Sequence, residues 1–374
     1  METILYPAHA PRLADMPATV DVFAGDGTEV CEDTLARPLK DLRLSVIDQC
    51  NFRCTYCMPK DIYTKDYPFM ESSERLSFDQ LVTMARAFVQ LGVDKIRITG
   101  GEPLLRKNLE KLIERLAGLS TPDGRQVKIA MTTNGALLAA KARALKDAGL
   151  DRVTVSLDSQ DDAIFKRMNG VGFAVDKVLQ GIEAAQAVGL SPIKVNTVVQ
   201  KGVNDSQIVS LARHFRHTGV NLRFIEFMDV GGIGAWSRTN VITSAEARRM
   251  IESAFPLIPH AGGKPASHDT ASRFYYTDGA GEIGFISSVS EPFCGSCTRV
   301  RVSSDGKMFL CLFANHGVDL RPYLSKSRAP QGLADVIRHH WQRRDNRYSE
   351  LRSEKDSAAG KKIYPTVRMS LVGG

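Results

Sequence analysis

DLRLSVIDQCNFRCTYC, residues 41–57, carries the two features from which the rest of the chain is read. LRLSVI (42–47) is apolar and β-branched at its centre, the composition of a strand covered on both faces. Directly after it come Cys50, Cys54 and Cys57, spaced Cys-x3-Cys-x2-Cys. Outward from this strand the pattern alternates. Helical periodicity covers 76–92, 107–119, 137–149, 172–189 and 205–219, and strand character covers 95–99, 127–133, 151–158, 192–200 and 221–228. Six β units with intervening helices predict an α/β fold with a mainly parallel sheet, an incomplete (β/α)6 TIM-type barrel. Element counting alone leaves a Rossmann-like order open.

Residues 1–40 hold Pro7, Pro11, Pro17 and Pro38 with more acids than bases, and are expected to be a flexible leader that docks only near its end. The core spans 41–229. Beyond it the pattern changes to a loop at 231–236, a helix at 244–255, hairpins at 272–289 and 299–313, and a helix at 332–344. This predicts a C-terminal α+β extension over 230–345, then a tail over 346–374 that ends in Gly373-Gly374.

The 374 residues are 43% hydrophobic and 24% charged, which excludes wholesale disorder and a disulfide-stapled mini-protein. No apolar run is long enough for a membrane span, and the N-terminus lacks the marks of a signal or transit peptide, so a cytoplasmic protein is expected. The net charge of +7 is small for the length and spread along it, which favours an anionic small molecule over a nucleic-acid track. Seven cysteines are present, six of them in two triplets. In a reducing compartment such clusters read as metal ligands, and Cys31, alone in the leader, as an incidental thiol.

Three thiolates within eight residues suit a cubane iron–sulfur cluster that keeps one iron without a protein ligand; a zinc site short of its fourth ligand is the alternative. The second triplet is Cys294, Cys297 and Cys311, where His316 makes a Cys3His zinc site the alternative. Arg299 and Arg301 alternate along a strand and share a face, which suits a triphosphate or a purine edge, or a merely solvated surface. Arg43, Lys95, Arg97, Lys194 and Arg223 also fall at strand positions, costly places for unpaired charge, and an anionic ligand at the barrel mouth explains their recurrence. In TGGEP (99–103) the glycines admit close backbone approach and Glu102 offers an acceptor for an ammonium group, although alone the motif is only a turn. Ser156 and Met228 close the fourth and sixth strands, where barrel active sites gather; packing or capping is the plainer alternative.

CNFRCTYC, with Tyr56 before its last cysteine, resembles the cluster motif of the radical S-adenosylmethionine superfamily, and TGGEP resembles that superfamily's methionine-binding element. From about Leu42 to Gly374 the chain is similar to the MoaA family, the GTP 3′,8-cyclases of molybdenum cofactor biosynthesis. IRITGGEPLLR, TTNG, VSLDS, KVNTVVQKGVND, RFIEFMDVG, FCGSCTRVRVSSDGKMFLCLF and the terminal GG carry the likeness. The resemblance implies a lyase with two 4Fe-4S clusters and S-adenosyl-L-methionine as cosubstrate. It implies cosubstrate contacts at Tyr56, Gly101, Glu102, Ser156 and Met228. Contacts to GTP are implied at Arg43, Lys95, Arg97, Thr132, Lys194, Arg223, Arg299 and Arg301, with Gly373 and Gly374 needed for activity. It further implies a homodimer, reduced flavodoxin or ferredoxin as electron donor, and a product passed to cyclic pyranopterin monophosphate synthase, with neither nucleic acid nor membrane as partner. The loop at 231–238 departs from the family's form. The rival readings are a two-cluster enzyme that modifies peptides, a nucleic-acid-modifying radical enzyme, and a zinc-bound interaction module on an inert barrel.

Overall fold

The computed structural model describes residues 30–230, 236–260, 270–324, 330–355 and 368–373; Gly374 and most of the 231–238 loop lie outside them. Six parallel strands run in chain order: β1 (Asp41–Ser45), β2 (Lys95–Thr99), β3 (Lys128–Thr133), β4 (Arg152–Ser156), β5 (Lys194–Val199) and β6 (Asn221–Glu226). The helices that connect them are α1 (Phe78–Gln90), α2 (Leu109–Ala117), α3 (Leu138–Asp147), α4 (Asp162–Asn169), α5 (Val175–Ala187) and α6 (Ile208–Phe215).

Local chemistry explains these elements. Ser77 opens α1 with a reciprocal cap: its hydroxyl accepts from the Gln80 N–H, and the Gln80 side chain accepts from the Ser77 N–H. Leu81, Met84, Ala85 and Phe88 then recur at helical spacing and are buried against the sheet. In β2, Ile96 and Ile98 are fully buried under the helices, whereas Lys95 and Arg97 alternate with them on the other face. The inner face of the sheet is therefore polar and cationic, the reverse of a filled barrel core.

The C-terminal segment supplies α7 (Ser244–Glu252), β7 (Leu257–Pro259), β8 (Ser272–Tyr276), β9 (Glu282–Ile286), β10 (Arg299–Val302), β11 (Lys307–Phe309) and β12 (Val318–Asp319). α8 (Pro330–Gln342), α9 (Tyr348–Lys355) and α10 (Met369–Val372) follow. The pattern change near residue 230 is not a break in the sheet. All twelve strands form one sheet, ordered β12-β11-β10-β1-β2-β3-β4-β5-β6-β9-β8-β7. β9 joins β6 in parallel and β10 joins β1 in parallel, so the extension covers both edges that six strands alone would leave open. One-dimensional periodicity says where a strand is, not which edge it takes.

Two further features bear on the site. Residues 31–39, at the end of the leader where docking was expected, are packed down: Cys31, Asp33, Arg37 and Leu39 are all buried, and Trp341 of α8 donates from its indole to the Arg37 carbonyl. The helix α4, only eight residues long, was absent from the sequence reading. It matters because its C-terminal turn grips the cysteine loop, with Met168 and Asn169 accepting from Thr55 and Arg53.

Candidate active site

The first triplet sits at the C-terminal end of β1. Arg53 donates to the Cys50 carbonyl at 2.7 Å and to the Tyr63 carbonyl at 2.9 Å, which folds the loop back on itself. Tyr56 donates its hydroxyl to Asp158, just beyond β4, at 2.7 Å, and Asp158 also accepts from the Val198 N–H of β5. The GGE of TGGEP lies against the same loop: Gly101 donates to the Ile47 carbonyl at 2.7 Å and Glu102 to that of Gln49 at 2.8 Å. A Cβ at Gly101 would stand 2.2 Å from the Gln49 oxygen, so no other residue fits there. The Glu102 side chain is turned inward, 1% exposed, and accepts from Leu104, Thr133 and Asn134. Its carboxylate thus ties the β2 loop to the end of β3, with one lone-pair direction left for an ammonium. Ser156 at the end of β4 and Met228 just past β6 are half-buried at the same end of the sheet.

Burial pushes the Cys50 thiol up to about 12, with the Glu102 charge adding to it, and Cys57 likewise to about 12 with Cys50 and Asp158 as the secondary causes. Ligation by iron would remove those protons outright. The Asn134 amide points at the Cys50 sulfur, 3.7 Å away, a donor that stabilises a ligated thiolate. Among the described residues no three His, Cys, Asp or Glu side chains converge on a single ion. A cubane asks for a different arrangement, one thiolate on each of three irons, and the donor set fits it.

The second triplet lies at the opposite end. Cys294 and Cys297 precede β10, which is parallel to β1, and Cys311 follows the antiparallel β11, which returns to that same end. Five strand residues at about 3.3 Å each put roughly 16 Å between the two ends. For Cys297, burial raises the pKa, but Arg299 and then Arg344 outweigh it and hold the thiol down at about 6. The Arg299 Nε lies 3.3 Å from its sulfur. Burial raises Cys311.

Between the triplets stands a row of cations on one face. Arg43 is in register with Arg301 on one side and Arg97 on the other, and Asp41 with Arg299 and Lys95. Thr132 aligns with Thr154 and Thr154 with Lys194, while Arg223 aligns with Asn196. Arg97 donates to both threonine hydroxyls at 3.2 and 3.0 Å. Burial, then the charge of Arg43, lowers Arg97 to about 9; burial, then Arg299, lowers Arg43 to about 10; burial, then Arg43, lowers Arg301 further. Asp41, paired with Lys95, is the one carboxylate named in this row. Arg152 at the start of β4 joins it, in register with Ala130 and, through it, with Arg97. Its Nε is buried without a hydrogen-bond partner among the described residues. The sequence reading missed it, although an arginine opening a parallel strand is the same signal as Arg43. Asn134 and Asp158 were also missed; they lie in TTNG and VSLDS, where only Thr132 and Ser156 had been assigned roles.

The tail reaches this row. Arg301 donates to the carbonyl oxygens of Val372, at 3.4 Å, and of Gly373. Gly373 has φ +72° and lies against Thr99 at the end of β2.

The fold and the two thiol sites define a radical S-adenosylmethionine protein, and comparison with known sequences agrees. The radical SAM superfamily model matches residues 44–215, and that of Molybdenum Cofactor Synthesis C matches residues 220–350. A GTP 3′,8-cyclase of Xanthomonas campestris is 50% identical over 343 residues, 92% of this chain and 97% of that protein. One from Acidothermus cellulolyticus is 44% identical, covering 93% of this chain and all of its own length. Streptococcus suis SuiB, solved with S-adenosylmethionine bound, shares the fold with a TM-score of 0.57 at 16% identity, over 89% of this chain and 72% of that one. The chain belongs to the GTP 3′,8-cyclase family. It is therefore an enzyme of the radical type, with iron–sulfur clusters and S-adenosylmethionine in its chemistry.

Proposed function

We propose that the chain converts GTP to (8S)-3′,8-cyclo-7,8-dihydroguanosine 5′-triphosphate, the first step of molybdenum cofactor biosynthesis, with the residues above in divided roles. The observation that carries this reading is the row of inner-face cations suspended between two cysteine triplets at opposite ends of the same parallel strands. A polyanion fits the row, and each end offers three thiolates to a cluster.

When bound, the first cluster supplies the electron that cleaves S-adenosylmethionine to a 5′-deoxyadenosyl radical, which abstracts H3′ of GTP. Tyr56, Gly101, Ser156 and Met228 hold the cosubstrate beside Cys50, Cys54 and Cys57, and Glu102 shapes that pocket. Arg43, Lys95, Arg97, Lys194 and Arg223 grip the triphosphate, with Arg152 added to them and Thr132 orienting Arg97. Arg299 and Arg301 fix the nucleotide near Cys294, Cys297 and Cys311, which would hold the second cluster; that cluster would supply an iron without a protein ligand for the guanine. Gly373 closes the chamber against Thr99, and Gly374, which lies outside the described residues, is assigned to activity on the resemblance alone. Holding the ribose rigidly and keeping water out favours attack of C3′ on C8 over quenching of the carbon radical.

The electron must come from outside. A cavity of about 550 Å³ opens beside Cys50, rimmed by Arg53, Lys60 and Lys65, and this basic rim supports an acidic carrier such as reduced flavodoxin or ferredoxin. The reading includes a cytoplasmic homodimer that hands its product to cyclic pyranopterin monophosphate synthase; among the described residues no helix is long and apolar enough to cross a membrane. The test is an anaerobic reaction with GTP deuterated at C3′. Deuterium in 5′-deoxyadenosine together with a cyclised triphosphate supports it; deoxyadenosine free of deuterium rejects it.

A further inference from the structure

The Cys294–Ser296 segment is a single turn of helix, and the loop that carries Cys311 follows a strand of three residues. Neither stretch has enough regular structure to hold three sulfurs in place. What holds them comes from elsewhere in the chain. Asp33, with its side chain 0% exposed, accepts from Arg37 Nε at 2.6 Å and from Arg344 Nη1 at 3.0 Å. Arg37 Nη1 donates to the Cys294 carbonyl at 2.8 Å and to that of Asn346 at 2.9 Å. Arg344 donates to the Cys297 carbonyl at 2.7 Å and to that of Leu310, beside Cys311, at 3.0 Å. One buried carboxylate thus orients two guanidinium forks, and the forks pin the backbone at all three cysteine positions. Arg344 is fixed in turn by its stacking on Trp341, 4.5 Å from the ring centre, and by Thr34, which donates to its carbonyl. Asp33 and Arg37 precede residue 44, where the superfamily match begins.

We propose that Asp33, Arg37 and Arg344 are positioning residues for the second cluster, and so for the nucleotide base bound there. The three residues act through the cysteine loop and touch no substrate. Lysine cannot replace either arginine, since each uses Nε and Nη1 of one planar group to span the Asp33 carboxylate and two carbonyls. The inference rests on the two-cluster reading above.

The test uses the full chain with Asp33→Asn, Arg37→Lys and Arg344→Lys. After anaerobic reconstitution, iron should fall from about eight to about four per chain while reductive cleavage of S-adenosylmethionine persists. In the iron-free protein, amide exchange at 293–298 and 310–312 should rise about tenfold or more, with β2 to β5 unchanged. Should Asp33→Asn not accumulate, Arg37→Lys, which keeps the charge, decides on the same readouts. Wild-type iron content and exchange in the variants would overturn the proposal. So would exchange raised evenly along the chain, which marks a general brace. A wild-type protein with only about four irons would instead remove the two-cluster reading, and the iron-free exchange comparison would still decide this one.

Discussion

Replacing Gly373 with alanine tests the part of the site that lies farthest from the rest in sequence. At φ +72° and ψ 139° the residue occupies backbone space that side chains rarely tolerate, and its Cβ would lie 1.9 Å from the Thr99 hydroxyl and 2.4 Å from the Thr99 Cβ. Holding alanine there costs about 1–3 kcal/mol in backbone strain before any overlap is counted. Shifting away instead breaks the hydrogen bond from Arg301 to the Gly373 carbonyl, a charged donor that contributes about 1.5–3 kcal/mol. Against this, the four-residue helix α10 docks chiefly through Val372, whose burial supplies about 1.5–3 kcal/mol. The penalty matches or exceeds the docking energy, so the tail should leave its slot; a loss of about 3 kcal/mol lowers the docking equilibrium constant on the order of a hundredfold. The assay follows two products at once under anaerobic conditions. Cyclised triphosphate should fall by about two orders of magnitude, whereas uncoupled 5′-deoxyadenosine, iron content and melting temperature stay near wild type. Thr99→Ala in the same chain should restore only part of the loss, because the Thr99 Cβ contact remains. Near-normal cyclisation by Gly373→Ala would refute the argument and reduce the tail to packing.

Alanine at Cys50, Cys54 or Cys57 should abolish cleavage of S-adenosylmethionine and leave about four irons in the chain; undiminished 5′-deoxyadenosine formation, or loss of all iron, would contradict the assignment. Arg299→Ala and Arg301→Ala should each weaken GTP binding by about 1–3 kcal/mol in titrations of the reconstituted protein, with lysine an incomplete substitute. Only Arg301→Ala should also raise amide exchange in the tail, since among the described residues Arg301, of the two, bonds to it; equal effects from both arginines would rule out that contact as the anchor. In the iron-free protein at neutral pH, Cys297 should alkylate before Cys50 and Cys57. Its thiolate fraction rises as pH increases through about 6, while theirs waits until about 12, and Arg299→Ala should move the Cys297 midpoint upward.

The parallel core was legible because each of its strands is short, apolar on one face and bounded by amphipathic helices, so Lys95–Thr99 could be read residue for residue. The cysteine triplets and the strand-borne cations were legible for a related reason: buried charge and clustered thiols are rare enough to demand a chemical cause. What the sequence hid depends on register between distant segments. Nothing in RVRV announces that β10 lies beside β1, yet that pairing is what sets Arg301 against Arg43. Asp33 and Arg37 carried no role in the sequence, since a carboxylate bridging two guanidiniums is visible only once Arg344, some three hundred residues on, is brought beside it. Arg152 opens its strand, where a charge reads as a solvated end, and only its register with Ala130 and Arg97 brings it onto the inner face.

The inner face also explains why this barrel is left incomplete. A closed barrel fills its interior with apolar side chains, and here every second position of β1, β2 and β10 that faces inward is polar or charged. Burial together with mutual repulsion already holds Arg43, Arg97 and Arg301 below the usual arginine range, so the unliganded face is a standing cost to the fold. Apolar residues on the helix side, such as the fully buried Ile96, Ile98, Leu42 and Leu44, offset that cost. A bound polyanion reverses the sign of the repulsion, which couples nucleotide binding to stability in the same stroke. The carbonyl oxygens of Val372 and Gly373 are the chain's own partial substitute at Arg301, two dipoles laid against a charge that needs an acceptor. Because the tail draws on the same Arg301 that is proposed to hold the nucleotide, the closing of the chamber and the filling of the site would act on one another through a single side chain.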